Sequence, residues 1–187
     1  MKVLLTACLL LLAACNGVPS SDEANRPFFA PGHELALPQP AELGRDAEWL
    51  QHITVRHDGD AYAFDGRISV TAESFQLIGI DGLGRRTMSI DWNRSGQVNA
   101  MRAEWLPPQV RPGPMLADIV LLYWPRDVLR RALQPSGATL REIGKTRIVS
   151  LGGKEVLHID YLGGGRLRYR NNGWGYEIEV QSVEVVP

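Results

Sequence analysis

Four histidines and two cysteines are the side chains of this 187-residue chain best suited to ligate a metal or attack an electrophile. Their spacing works against both. His52 and His57 are five residues apart in strand-like sequence, which turns their side chains toward opposite faces. His33 lies in a proline-rich stretch, and His158 stands alone within an alternating segment. Asp81, Asp91 and Asp160 are scattered carboxylates, and no acid–base pair emerges from their positions. The sequence has no G-x-S-x-G elbow, no H-E-x-x-H and no phosphate-binding loop; Gly152-Gly153-Lys154 lacks the following Ser or Thr and reads as a hairpin turn. Arg166, Arg168 and Arg170 alternate along one strand, where a solvated outer face is the plain reading and contact with lipid phosphates or an anionic partner the sharper one. The chain is therefore expected to be non-enzymatic, with no metal and no cofactor.

The remaining chemistry is that of the thiols, Cys8 and Cys15. Met1-Lys2 supplies a positive start, and Val3 to Ala14 is apolar or small apart from Thr6. That stretch is shorter than the roughly 20 residues a spanning helix needs, but it suits a secretory signal. It closes with Leu12-Ala13-Ala14-Cys15, which resembles the lipobox of bacterial lipoproteins, where a peptidase cuts before the Cys and the thiol carries a diacylglycerol. Leu5-Thr6-Ala7-Cys8 matches the same pattern but leaves almost no apolar stretch before it. Cys15 is thus the expected lipidation site, and no intrachain disulfide is left to form. Each buried methylene of the acyl chains contributes roughly 0.8 kcal/mol to anchoring. Asp after the Cys retains enterobacterial lipoproteins in the inner membrane; Asn16 stands there instead, so the resemblance implies an outer-membrane anchor facing the periplasm.

The elements that would carry a site are strands. With 44% apolar and 22% charged residues and a net charge of -1, the chain has the composition of an ordinary globular protein and not of a globally basic nucleic-acid binder. Three segments are expected: a signal peptide over 1–14, a Pro-rich tether over 15–43 and one domain over 44–187. Pro19, Pro27, Pro31, Pro38 and Pro40 favour an extended spacer. Within it, Phe28 and Phe29 could dock on the domain or dip into the bilayer surface, and docking is the commoner outcome. From Ala47 onward apolar and polar residues alternate, punctuated by Asp58-Gly59-Asp60, Asp81-Gly82-Leu83-Gly84 and Asn93-Arg94-Ser95-Gly96. Val98 to Leu106 reads as a further strand with Met101, Ala103 and Trp105 on its apolar face. Met115 to Tyr123 reads as a helix broken at Trp124-Pro125, with a second helical face at Val128, Leu129, Ala132 and Leu133. Strands resume at 146–151, 156–161, 166–170 and 176–186. The pattern predicts a mainly β, antiparallel open half-barrel of about nine to eleven strands with a helical lid.

Gly66-Arg67-Ile68-Ser69-Val70 is similar to an early strand of LolB, and Leu77-Ile78-Gly79-Ile80-Asp81-Gly82-Leu83-Gly84 resembles its apolar strand running into a loop, with Gly82 in place of the usual Pro. Trp124-Pro125 ahead of Val128 and Leu129 looks like its late helical segment. The mature domain thus resembles the LolA/LolB-like proteins of the Gram-negative envelope. Within them it most resembles outer-membrane lipoproteins of unknown function found beside aryl polyene, fatty-acid-synthase-like gene clusters. The resemblance implies an exposed leucine that contacts the membrane, and Leu83 is the matching position.

A wide meander with one apolar face is larger than a single helical insertion can cover, and the remaining space would be an apolar pocket. Its expected lining is Phe64, Ile68, Phe75, Leu77, Ile90, Trp92 and Trp105 on the sheet, with Leu116, Val120 and Tyr123 on the lid. The expected function is binding of a hydrophobic ligand (an acyl chain, a polyene lipid or a lipoprotein) for transfer or insertion. The alternative is a structural or docking module of the envelope without a ligand, its core filled.

Overall fold

The computed structural model describes residues 26–185. Twelve strands and two α-helices are present among them. After a short pair, β1 (Phe28–Ala30) and β2 (His33–Glu34), come β3 (Ala47–His57), β4 (Asp60–Val70), β5 (Ser74–Ile80), β6 (Arg86–Asn93) and β7 (Val98–Arg102). Helices α1 (Pro112–Tyr123) and α2 (Arg126–Leu133) follow, then β8 (Thr139–Ile143), β9 (Thr146–Leu151), β10 (Lys154–Gly163), β11 (Arg166–Asn171) and β12 (Tyr176–Glu184).

The ten strands β3 to β12 form one antiparallel sheet in the order β7-β6-β5-β4-β3-β12-β11-β10-β9-β8. Two five-strand meanders therefore meet where β12 pairs with β3, and the sheet stays open because β7 and β8 are its edges. The chain passes from one edge to the other through α1 and α2, so both helices lie across the concave face. The turns follow local chemistry. Asp58 (φ 51°) and Gly59 (φ 87°) are the left-handed pair that a two-residue hairpin between β3 and β4 requires.

Alternation decides the faces. In β5, Phe75, Leu77 and Gly79 point inward; in β6, Met88, Ile90 and Trp92 do so opposite them. Helix α1 is buried on nearly every side, because the sheet holds one flank and β1 the other. Its end is stopped at Trp124-Pro125, and Trp124 packs against Phe75 and Trp92 with ring centroids 6.4 and 5.7 Å away. Buried Arg147 on β9 donates to the carbonyls of Leu121 (2.5 Å) and Trp124 (3.3 Å) and pairs with Glu142. It thereby satisfies carbonyls that the end of a helix leaves open.

Three expectations change. The spacer read over 15–43 belongs to the domain from residue 26 on, because Phe29, Ala30, Leu35 and Leu43 are buried in the core and Asn171 donates to the Phe29 carbonyl (3.0 Å). Apolar docking outweighs the extended preference of the prolines there. The strand expected to reach Leu106 ends at Arg102, and its inward residues are Val98, Ala100 and Arg102 while Met101 faces out. Arg102 pulls the chain off the sheet by donating to the carbonyls of Leu106, Pro107 and Val110. Finally, edge strand β8 carries a single buried apolar residue, Leu140, too faint a pattern to read as a strand.

Candidate functional site

The concave face of the sheet continues past the N-terminal end of α1. There only the proline-rich segment 103–111 covers it, and the cover is incomplete. A cavity of about 380 Å³ opens between β3, β4, β6 and this segment, walled by Val55, Tyr62, Phe64, Met88, Trp105, Leu106 and Val110. Val55, Tyr62, Pro107 and Val110 also wall a narrow space of about 80 Å³, which reaches Asp118. That space shares His57, Gln109, Arg111 and Pro114 with a further cavity of about 380 Å³ against Trp174 and Tyr176. Together the three form a trough with aromatic side chains at both ends. Its size is that of a small-molecule site.

The mouth is organised by charge as well as by ring faces. Trp105 is 51% exposed, and the Arg85 guanidinium lies 4.5 Å from the centre of its ring. Asp81 binds Arg85 at 2.7 Å and also accepts the backbone N–H groups of Leu83 (3.0 Å) and Arg85 (2.9 Å). This clamp holds the β5–β6 turn, where Leu83 is 79% exposed.

Under the trough lies a polar cluster built on Asp118, the one charge in helix α1. Asp118 is 6% exposed; it accepts hydrogen bonds from the hydroxyls of Tyr169 on β11 and Tyr176 on β12. Asn171 donates to both tyrosine oxygens, at 3.3 and 3.2 Å. Burial pushes the Asp118 carboxyl up to about 7, against the opposing pull of the two hydroxyl donors. The same burial, with Asp118 alongside, raises both tyrosines. Both carboxylate oxygens are thus occupied, and the cluster ties α1 to the sheet.

The ten residues expected to line a pocket fall into three groups. Phe64 and Trp105 wall the trough, although Trp105 does so from a turn and not from a strand. Ile68, Phe75, Leu77, Ile90, Trp92, Leu116 and Val120 are fully buried where α1 sits on the sheet, so they form filled core. Tyr123 is half-buried, stacks on Trp49 with centroids 4.6 Å apart and hydrogen-bonds Gln51 at 2.5 Å. Cys15, Cys8 and the segment resembling a lipobox lie outside the described residues.

Among the described residues no three His, Cys, Asp or Glu side chains gather as a metal site, and no helix is long and apolar enough to cross a membrane. His52 pairs with Asp65 (2.8 Å), and His158 with Glu155 (3.0 Å) and Asp160 (3.3 Å). Arg168 and Arg170 are partly exposed and face Glu177 and Glu179 on β12, a solvated ladder on the outer face.

No curated protein matches the chain. Among solved structures, the LolA superfamily protein NE2245 of Nitrosomonas europaea is similar at 10% identity and a TM-score of 0.40, over 82% of this chain and 90% of that one. Residues 48–184 match the family described as "Protein of unknown function (DUF3261)", and the chain belongs to that family.

Proposed function

We propose that the protein is a lipid-anchored carrier, held in the outer membrane and facing the periplasm, that binds a hydrophobic ligand in the trough for transfer or insertion. The observation that carries this reading is the trough itself, an apolar, aromatic-ended space beside a filled core. An acyl chain, a polyene lipid or the acyl portion of a lipoprotein fits its chemistry; the polyene follows from the resemblance to lipoproteins encoded beside aryl polyene clusters. A binding role without catalysis agrees with a wall of apolar side chains and paired carboxylates. Saturable binding of dodecanoate, with a change in tryptophan emission from Trp105, tests it. A flat titration by both calorimetry and fluorescence would remove it.

Anchoring rests on Cys15. The Cys15→Ser chain is expected to take up no palmitate, while Cys8→Ser labels normally. Labelling of the Cys15→Ser chain would move the anchor to Cys8.

Leu83 is the proposed point of membrane contact. Asp81 walls the first cavity and clamps the turn that carries Leu83, so the exposed leucine stands beside the mouth. Leu83→Glu is expected to leave Tm within about 2 °C, since a surface change away from packing costs under roughly 0.5 kcal/mol. It should at the same time weaken vesicle co-sedimentation. A Tm drop of several degrees, or unchanged sedimentation, speaks against the role.

A docking module without a ligand remains the second reading, favoured by one observation. Ile78 and Met101 both register with Ser89 on the outer face and are exposed, with Ile80 nearby. Its signature is capture of a partner protein by a chain that binds no dodecanoate.

A further inference from the structure

Arg102 and Arg147 are drawn into the interior and give their donors to carbonyls or to Glu142. Arg111 is half-buried at the start of α1 and differs from them. Among the described residues its guanidinium meets no carboxylate and no carbonyl; its neighbour is the Trp174 ring, with its centroid 4.8 Å away. A guanidinium stacked by its flat face keeps its N–H donors free around the edge. Trp174 walls the same cavity, and its indole N–H is buried with no acceptor among the described residues. The buried Trp174 N–H therefore stands without an acceptor, which is costly unless something supplies one, and the half-buried Arg111 beside it has no protein acceptor for its donors among the described residues.

The surrounding groups do not supply it. Asp118 has both oxygens taken by Tyr169 and Tyr176. His57 faces the Gly175 carbonyl (3.2 Å) and Asp58 (3.4 Å). The far end of the trough, past the 80 Å³ space, is mainly apolar, walled by Phe64, Met88 and Leu106, and the one carboxylate there, Asp81, is paired with Arg85.

We propose that the trough takes a single-chain amphiphile with a carboxylate head. The chain lies along Phe64, Leu106 and Val110, and the head is held by Arg111 and the Trp174 N–H. The planar guanidinium edge matches a carboxylate. This inference rests on the apolar-ligand reading and adds the head group to it.

Titration of the full chain with dodecanoate, dodecanol and dodecyl phosphate tests it. Dodecanoate is expected to bind about tenfold more tightly than dodecanol, the usual gain of a charge-assisted hydrogen bond. Arg111→Gln should cut the advantage of dodecanoate over dodecanol from about tenfold to about threefold while leaving dodecanol unchanged. Trp174→Phe, which keeps the ring and removes the donor, should weaken dodecanoate about threefold and spare dodecanol. Equal binding of dodecanoate and dodecanol by the unsubstituted chain overturns the head-group assignment but leaves the apolar trough intact. Tighter binding of dodecyl phosphate than dodecanoate overturns the choice of carboxylate. Binding of none of the three removes the carrier reading itself.

Discussion

Raising the pH from 5 to 8 is expected to destabilise the domain by about 2.5 kcal/mol through Asp118 alone, with a fall in Tm of about 5–10 °C. The carboxyl titrates near 7 when folded, against 3.8 as the ordinary value. The folded state thus holds this proton more tightly than the unfolded chain does. The stabilisation is complete below pH 3.8 and is lost as pH rises through 7. The groups facing Asp118 are the Tyr169 and Tyr176 hydroxyls, with Asn171 behind them; Arg111 and His57 line the adjoining narrow space. Asp118→Asn keeps an acceptor for the tyrosines and cannot ionise, so its melting curve should lose this pH dependence. Parallel pH profiles for the two chains would show that Asp118 does not titrate in this window. The cluster joins α1 to β11 and β12, so the lost stability falls on the contact between that helix and the sheet.

The second large effect separates core from trough. Phe75→Ala is expected to cost about 3–5 kcal/mol, because Phe75 is fully buried among Trp92 and Trp124 and its removal leaves a cavity. Yet Phe75 does not wall the trough, so a Phe75→Ala chain that remains folded at low temperature should bind dodecanoate as the original does. Urea unfolding gives the stability change and calorimetry the affinity. Loss of binding in folded Phe75→Ala protein would mean that ligand enters beneath α1.

Much of the fold was legible because alternation is a local signal. Phe75-Gln76-Leu77 and Met88-Ser89-Ile90-Asp91-Trp92 declare their faces within a few residues, and Trp124-Pro125 declares the helix break. Apart from the expected docking of Phe28 and Phe29, residues 26–43 were misread as a spacer because proline content is local while the burial of Ala30, Leu35 and Leu43 is not. Trp105 was assigned to a strand face, yet Arg102 folds the chain into a turn there, and carbonyl capture by an arginine has no sequence period. The trough was only half legible. Phe64 and Trp105 stood out as aromatic residues, whereas Val55, Leu106 and Val110 become a wall only when the 103–111 segment folds over β3 and β4. Arg111 and Trp174 meet across two loops, and no spacing in either loop announces the other. Asp118 did carry a signal, a lone acid in an apolar helix, but its tyrosine partners lie on β11 and β12.

Filling the trough is the direct test of whether it is the binding site. Val55 points inward from β3 opposite Tyr62 and walls both the first cavity and the narrow space. Val55→Trp puts a bulky ring into existing space at a position where strands accept aromatic residues, so the fold should persist. Calorimetric titration of the Val55→Trp chain with dodecanoate is predicted to show binding weakened at least tenfold, with Tm within a few degrees of the original. Undiminished dodecanoate binding by folded Val55→Trp protein would contradict the trough as the ligand site.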